Sequence, residues 1–231
     1  MTVQHVDAPI IAARNRENII VEGEIIRHRR LTRWIHWSVA LTFFVSVFSG
    51  MPIWMPMFGW MAVFVGGLET ARIIHPWAGS AFFIVSIVQF FHWLGDMRVQ
   101  PDEKGQWRPS KLWAYMRYED DPAVVGGKYN PGQKFFFYAV SLGAIGLLVS
   151  GIVMWFPLYF GSLLLRELSY LLHDITFIFF LIGIVFHIYL GTAAEPGTFR
   201  SMTRGTVTRT WAKLHHPGWF REVTRTENRR D

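Results

Sequence analysis

Four apolar runs, parted by polar or broken stretches, set the pattern of this chain: residues 31–51, 71–94, 130–156 and 169–191. A helix needs about 20 mostly apolar residues to cross a bilayer, and each run meets that length. Pro52 and Pro56 are expected to end the first helix. The apolar stretch that follows, broken by Gly59, Gly66 and Gly67, is expected to form short interfacial turns rather than a crossing. Asn130-Pro131 reads as an N-cap with proline at the first helical position of the third helix. Pro157 and Gly161 mark the turn into the fourth. Residues 1–26 are mixed and polar, with no run resembling a cleaved signal, and are expected to be a soluble arm, partly disordered or docked on a partner. The division that follows is an arm at 1–26, a four-helix transmembrane region at 27–194 and a basic soluble tail at 195–231.

Lysine and arginine set the expected orientation. Residues 1–33 hold six, the loop at 95–134 holds seven and the tail holds eight, whereas the other two connections hold only Arg72 and Arg166. By the positive-inside rule both termini and the loop between the second and third helices face the cytoplasm. A fifth crossing between Pro52 and Gly67 would put the seven-charge loop outside. The expected fold is an all-α integral membrane protein, a four-transmembrane-helix bundle with cytoplasmic N- and C-termini.

Composition narrows the chemistry. The 231 residues are 51% hydrophobic and include 11 Trp and 20 Phe, as suits rings at bilayer interfaces and against cofactors. There is no cysteine, which excludes disulfides, intrinsic iron–sulfur clusters and a haem attached through C-x-x-C-H. Bis-histidine b-type haem needs no thiolate. The net charge of +6 reads as topology and lipid-headgroup contact, not nucleic-acid binding.

The histidines fall into two depth-matched pairs. His173 and His187 lie on the fourth helix fourteen residues apart, so they leave one face within about 40° and stand roughly 21 Å apart along the axis. His36 is early in the first helix and matches His187 near the cytoplasmic surface. His75 is early in the second and matches His173 near the outer surface. The fourth helix then supplies one axial ligand to each of two non-covalent b haems. Iron held by two imidazoles has no open position, which suits electron transfer rather than oxygen chemistry. The plainer alternative is solvated or hydrogen-bonded histidines near helix ends. His92 is a rival inner ligand, but it lies about 100° around the helix from His75. His5, His28, His215 and His216 read as surface residues.

Small and basic residues accompany the pairs. Gly50 and Ser49 end the first helix, Gly79 follows His75 at i+4, and Gly183 precedes His187 at i−4, each offering room for a macrocycle. Gly143, Gly146 and Ser150 give the third helix a smooth face, equally explained by close helix packing. Arg33 and Arg72 each stand three residues before a ligand histidine, as propionate partners or as interfacial snorkelling cations.

Five segments, ARIIHPWAG, KYNPGQK, SGIVMWFP, LIGIVFHIYLG and GTVTRTWAKLHHPGWFRE, together resemble the cytochrome b (gamma) subunit of membrane-bound respiratory formate dehydrogenase, over residues 30–223. The resemblance implies a four-helix bundle in the bacterial inner membrane holding two b haems, with ligands at His36 and His187 and at His75 and His173. It implies a partner with a molybdenum or tungsten pterin site (alpha) that oxidises formate, and an iron–sulfur (beta) subunit relaying electrons to the outer haem. It also implies reduction of menaquinone or ubiquinone near the inner haem, with quinone contacts at Asn130 and Gly132 beside His187. Asn130 caps the helix in either case. The chain departs from the pattern at Pro131 and in its longer N-terminal arm.

Two alternatives stay open at this point. One is the di-haem cytochrome b of a membrane-bound hydrogenase or another periplasmic oxidoreductase, which shares the paired histidines and differs in its partner. The other is a haem-free membrane anchor or transporter, which leaves the matched depths unexplained.

Overall fold

The computed structural model describes residues 20–21, 23–99, 110 and 127–228. The first part of the arm, including His5, and most of the loop between the second and third apolar runs lie outside the described residues. The described elements are β1 (Ile20–Val21), β2 (Glu24–Ile26), α1 (Arg30–Trp54), a 3₁₀ helix (Pro56–Val65), α2 (Leu68–Met97), α3 (Pro131–Trp155), the single turn α4 (Pro157–Phe160) and α5 (Leu163–Tyr189). A π turn (Leu190–Ala194), α6 (Thr198–Thr203), β3 (Thr206–Thr208), α7 (Arg209–His215) and α8 (Pro217–Glu227) complete the chain. Four of these helices are long and apolar enough to cross a membrane, as the hydrophobic pattern requires. The 3₁₀ helix, at ten residues, is too short to do so.

The boundaries differ from the sequence expectation in one physical respect. Pro52 does not end α1 but sits in its last turn, and the helix runs on to Trp54. A proline there removes only one amide from the ladder, and the Met55 amide still reaches the Met51 carbonyl at 3.1 Å. Pro56 opens the 3₁₀ helix instead. Two successive left-handed glycines, Gly66 (φ 87°) and Gly67 (φ 102°), then turn the chain into α2. The Gly67 amide caps the Ala62 carbonyl at 2.8 Å, a turn that a side-chain-bearing residue adopts only with strain.

The chain divides into two units. In the unit of residues 35–92 and 138–184, the four long helices meet at a core of Phe43, Phe82 and Ala144, with Phe180 and Ile184 packed against it. Outward positions such as Leu41, Ile84, Leu142 and Phe179 are apolar and exposed. Apolar side chains both within and without mark helices made for lipid. The small-residue face of α3 packs directly on α5. A Cβ at Gly143 would come 2.4 Å from Phe180 Cε2, one at Gly146 would meet Thr176 Oγ1 at 3.6 Å, and Ser150 reaches His173. Helix packing therefore accounts for this face.

The second unit corrects two expectations. It joins the end of the arm, 93–137 and 185–231, and it carries a three-stranded antiparallel sheet in the order β1-β2-β3. Ile25 pairs with Val207, and both are buried with Trp211, Ala212, Trp219 and Val223. The fold is thus mostly helical rather than all-α, and the end of the arm is docked on the chain's own tail. Local pattern could not show this, because two- and three-residue strands carry no periodic signal. Gly205 (φ 86°) makes the connection tight: a Cβ there would stand 2.7 Å from the His28 carbonyl oxygen.

Candidate functional site

His75 on α2 and His173 on α5 come together, with ring centroids 6.1 Å apart and planes at 72°. Both are half-buried. The His75 Nδ1 lies 3.1 Å from the Ser46 carbonyl and 3.4 Å from Ser49 Oγ, both on α1. The His173 Nδ1 lies 2.9 Å from Ser150 Oγ on α3. All four long helices therefore contribute to this pair. A carbonyl accepts only, so His75 donates through Nδ1–H and keeps its lone pair on Nε2.

Gly50 makes room for the imidazole itself. A Cβ at Gly50 would lie 2.6 Å from His75 Cε1, and one at Gly151 would lie 3.7 Å from His173 Cε1. Gly79, one turn beyond His75, faces open space. Arg72 pairs with Glu69 at 2.8 Å and is largely exposed.

The other two expected ligands lie in different units, and each has its own setting. His36 is half-buried, with its ring 5.2 Å from Trp37 in an edge-on arrangement. His187 stacks on Phe136 of α3, centroids 4.9 Å apart and planes within 10°. His92 is exposed on α2. Asn130 forms a reciprocal cap on α3: its Oδ1 accepts from the Gln133 amide at 2.8 Å, and its own amide donates to Gln133 Oε1 at 3.1 Å. Arg33 donates through NH1 to the Thr203 carbonyl at 2.5 Å, which gives its guanidinium a partner on the tail.

Two histidines read as surface residues are buried instead. His28 is 4% exposed and stacks with Tyr129; His216 is 1% exposed. His216 Nδ1 donates to the Gly127 carbonyl at 3.2 Å, and its Nε2 faces Arg27 NH2 at 3.2 Å. Arg27, 2% exposed, stands over the rings of Trp211 and Trp219 at 5.0 Å each and of Tyr129 at 5.5 Å. Its NH2 also donates to the Lys128 carbonyl at 2.5 Å. The tail segment WAKLHHPGWFRE is thereby explained as the wall of a cage around one arginine, next to the turn that leads to Asn130. Sequence reasoning missed this cage, because a basic residue before an apolar run reads as a topology marker.

The profile of prokaryotic cytochrome b561 matches residues 27–205. The chain belongs to the prokaryotic cytochrome b561 family. A formate dehydrogenase cytochrome b556 subunit of Haemophilus influenzae is 34% identical over 205 residues, 87% of this chain and 84% of its own length. The cytochrome b556(fdo) subunit of formate dehydrogenase from Escherichia coli K12 is 33% identical over 212 residues, 89% of this chain and 96% of its own. The nitrate-inducible b556(Fdn) subunit of the same organism is 32% identical over 211 residues, covering 90% and 95%.

Membership of the cytochrome b561 family implies haem b, and the His75–His173 pair fits that group. The two rings approach from separate helices to 6.1 Å between centroids. With Nδ1 occupied by hydrogen bonds to the protein, Nε2 is the nitrogen available to iron, an arrangement typical of metal-bound histidine.

Proposed function

We propose that this cytochrome b561 family member is the membrane electron-transfer subunit of a formate dehydrogenase, carrying electrons from an iron–sulfur (beta) subunit across two bis-histidine b haems to quinone. The observation that carries the reading is the 6.1 Å approach of His75 and His173 from separate helices. The names of the relatives support the choice of complex. Formate oxidation belongs to a pterin-bearing (alpha) partner holding molybdenum or tungsten, and this chain contributes no catalytic residue to it.

When bound, haem b would supply reversible one-electron chemistry. The residues of this chain hold and orient it. His75 and His173 form the outer pair, and His36 and His187 the inner pair. Gly79 and Gly183 would leave room for the macrocycle, and Arg72 and Arg33 would pair with its carboxylates. The quinone, menaquinone or ubiquinone, contacts Asn130, Gly132 and His187, where the amide groups opening α3 favour a carbonyl that gains negative charge. Both termini face the cytoplasm of a bacterial inner membrane, a placement supported by the charge of the loop and tail.

The deciding experiment is a pyridine haemochromogen assay on the purified complex, with protein quantified in parallel. Two haems per chain are expected, falling to one in His75→Ala and in His187→Ala. The latter should also abolish quinone reduction while formate oxidation with an artificial acceptor persists. A haem content near zero, or full content in both variants, rejects the assignment.

A further inference from the structure

Two buried serines stand in the same relation to the two imidazoles. Ser49 is 0% exposed and Ser150 is 1% exposed. Each donates its hydroxyl proton to the carbonyl one turn back on its own helix, Ser49 to Val45 and Ser150 to Gly146, both at 2.7 Å. A serine has one proton to give. Once it is committed to the helix, the hydroxyl oxygen turns only lone pairs toward its neighbour. For Ser150 that neighbour is His173 Nδ1 at 2.9 Å; for Ser49 it is His75 Nδ1 at 3.4 Å.

The remaining acceptor agrees. The Ser46 carbonyl meets His75 Nδ1 at 3.1 Å. A carbonyl cannot donate, and neither can a serine whose proton is already given, so both rings carry their hydrogen on Nδ1. The two sides are not equal, however. His75 is held mainly by a main-chain carbonyl, with Ser49 at the outer limit of a hydrogen bond. His173 has its short contact from a side chain.

We propose that Ser150 is a positioning residue that holds His173 in the Nδ1–H tautomer, aims its Nε2 at iron and sets its strength as a ligand, with Ser49 assisting the Ser46 carbonyl at His75. The inference rests on the His75–His173 haem reading given above. An acceptor on Nδ1–H makes the imidazole a stronger base and favours the oxidised iron. Removing that acceptor therefore raises the midpoint potential of this haem.

The test is an optical redox titration of the purified complex, with low-spin ferric EPR alongside, on Ser150→Ala, Ser150→Thr, Ser49→Ala and Ser46→Ala. Ser150→Ala is expected to raise the potential of one haem and shift its EPR g values. Ser150→Thr, which keeps the hydroxyl, restores both. Ser49→Ala moves them less, and Ser46→Ala not at all, because its hydroxyl bonds to the Thr42 carbonyl at 2.9 Å and only its main chain meets His75. Parental potential and g values in Ser150→Ala overturn the inference. Should Ser150→Ala shed the haem, retention at the parental potential in Ser150→Thr supports it, and loss from both variants overturns it. Failure of the underlying reading is separate, since it appears as missing haem in the parent complex, or as full haem content in His173→Ala.

Discussion

Gly50 lies against the imidazole of His75 so closely that a Cβ on the glycine would stand 2.6 Å from Cε1 of the ring. Non-bonded carbons do not approach so closely, and the ring cannot give way without breaking its 3.1 Å contact with the Ser46 carbonyl. Gly50→Ala is therefore expected to remove one of the two proposed haems and leave the other. Haem per chain by pyridine haemochromogen checks this; an undiminished ratio would show that the ring has room to turn.

Gly143 poses a different problem. Its missing Cβ would come 2.4 Å from Phe180 Cε2, and Phe180 packs on the core where the four helices meet. Alanine gains up to about 1 kcal/mol over glycine in a helix interior. Forcing volume into a packed interface costs about 1–3 kcal/mol, so the loss wins. Gly143→Ala should lower the thermal midpoint in detergent, and a rise would mean that α3 and α5 part without penalty.

Asn130 combines a demonstrated cap with a proposed quinone contact, and the two roles separate by substitution. Asn130→Ala loses the 2.8 Å bond to the Gln133 amide and should cost about 1 kcal/mol of stability. Asn130→Ser keeps a capping oxygen but lacks the amide N–H. It is expected to hold stability while raising the KM for quinone. Unaltered quinone kinetics in Asn130→Ser would reduce the residue to a cap.

Arg27 ties the start of the chain to its tail. Truncation in Arg27→Ala empties a site ringed by Tyr129, Trp211 and Trp219 and leaves the Lys128 carbonyl without this donor. A loss of roughly 2–5 kcal/mol is expected, as for other large buried side chains cut to alanine. Limited proteolysis should then release fragments from residues 209–227, with the apolar helices still intact.

Burial and the neighbouring Arg27 charge hold the His216 imidazole well below its ordinary range. The folded state therefore keeps this group neutral, while the unfolded chain takes up a proton near pH 6.5. Stability from this group is fully present above about pH 6.5 and falls as pH drops below it, by about 1.4 kcal/mol per unit at most. Unfolding of the tail followed against pH should show this slope, and His216→Gln should flatten it. An identical slope in that variant would assign the acid sensitivity elsewhere.

Four membrane-length helices were legible in the chain alone, because a bilayer demands length and apolarity that are visible residue by residue. It also carried the family, and it offered four histidines as candidate ligands from the depth that counting along a helix gives them. What surrounds the histidines came from helix packing. Ser49, Ser150 and Gly50 read as small residues making space, and became the immediate neighbours of His75 and His173 once α1, α2, α3 and α5 were packed. Likewise Arg27 and His216, 189 positions apart, read as a topology marker and a surface residue. A hydrogen bond between distant segments leaves no periodicity in a chain, so it is visible only where folding has closed the distance.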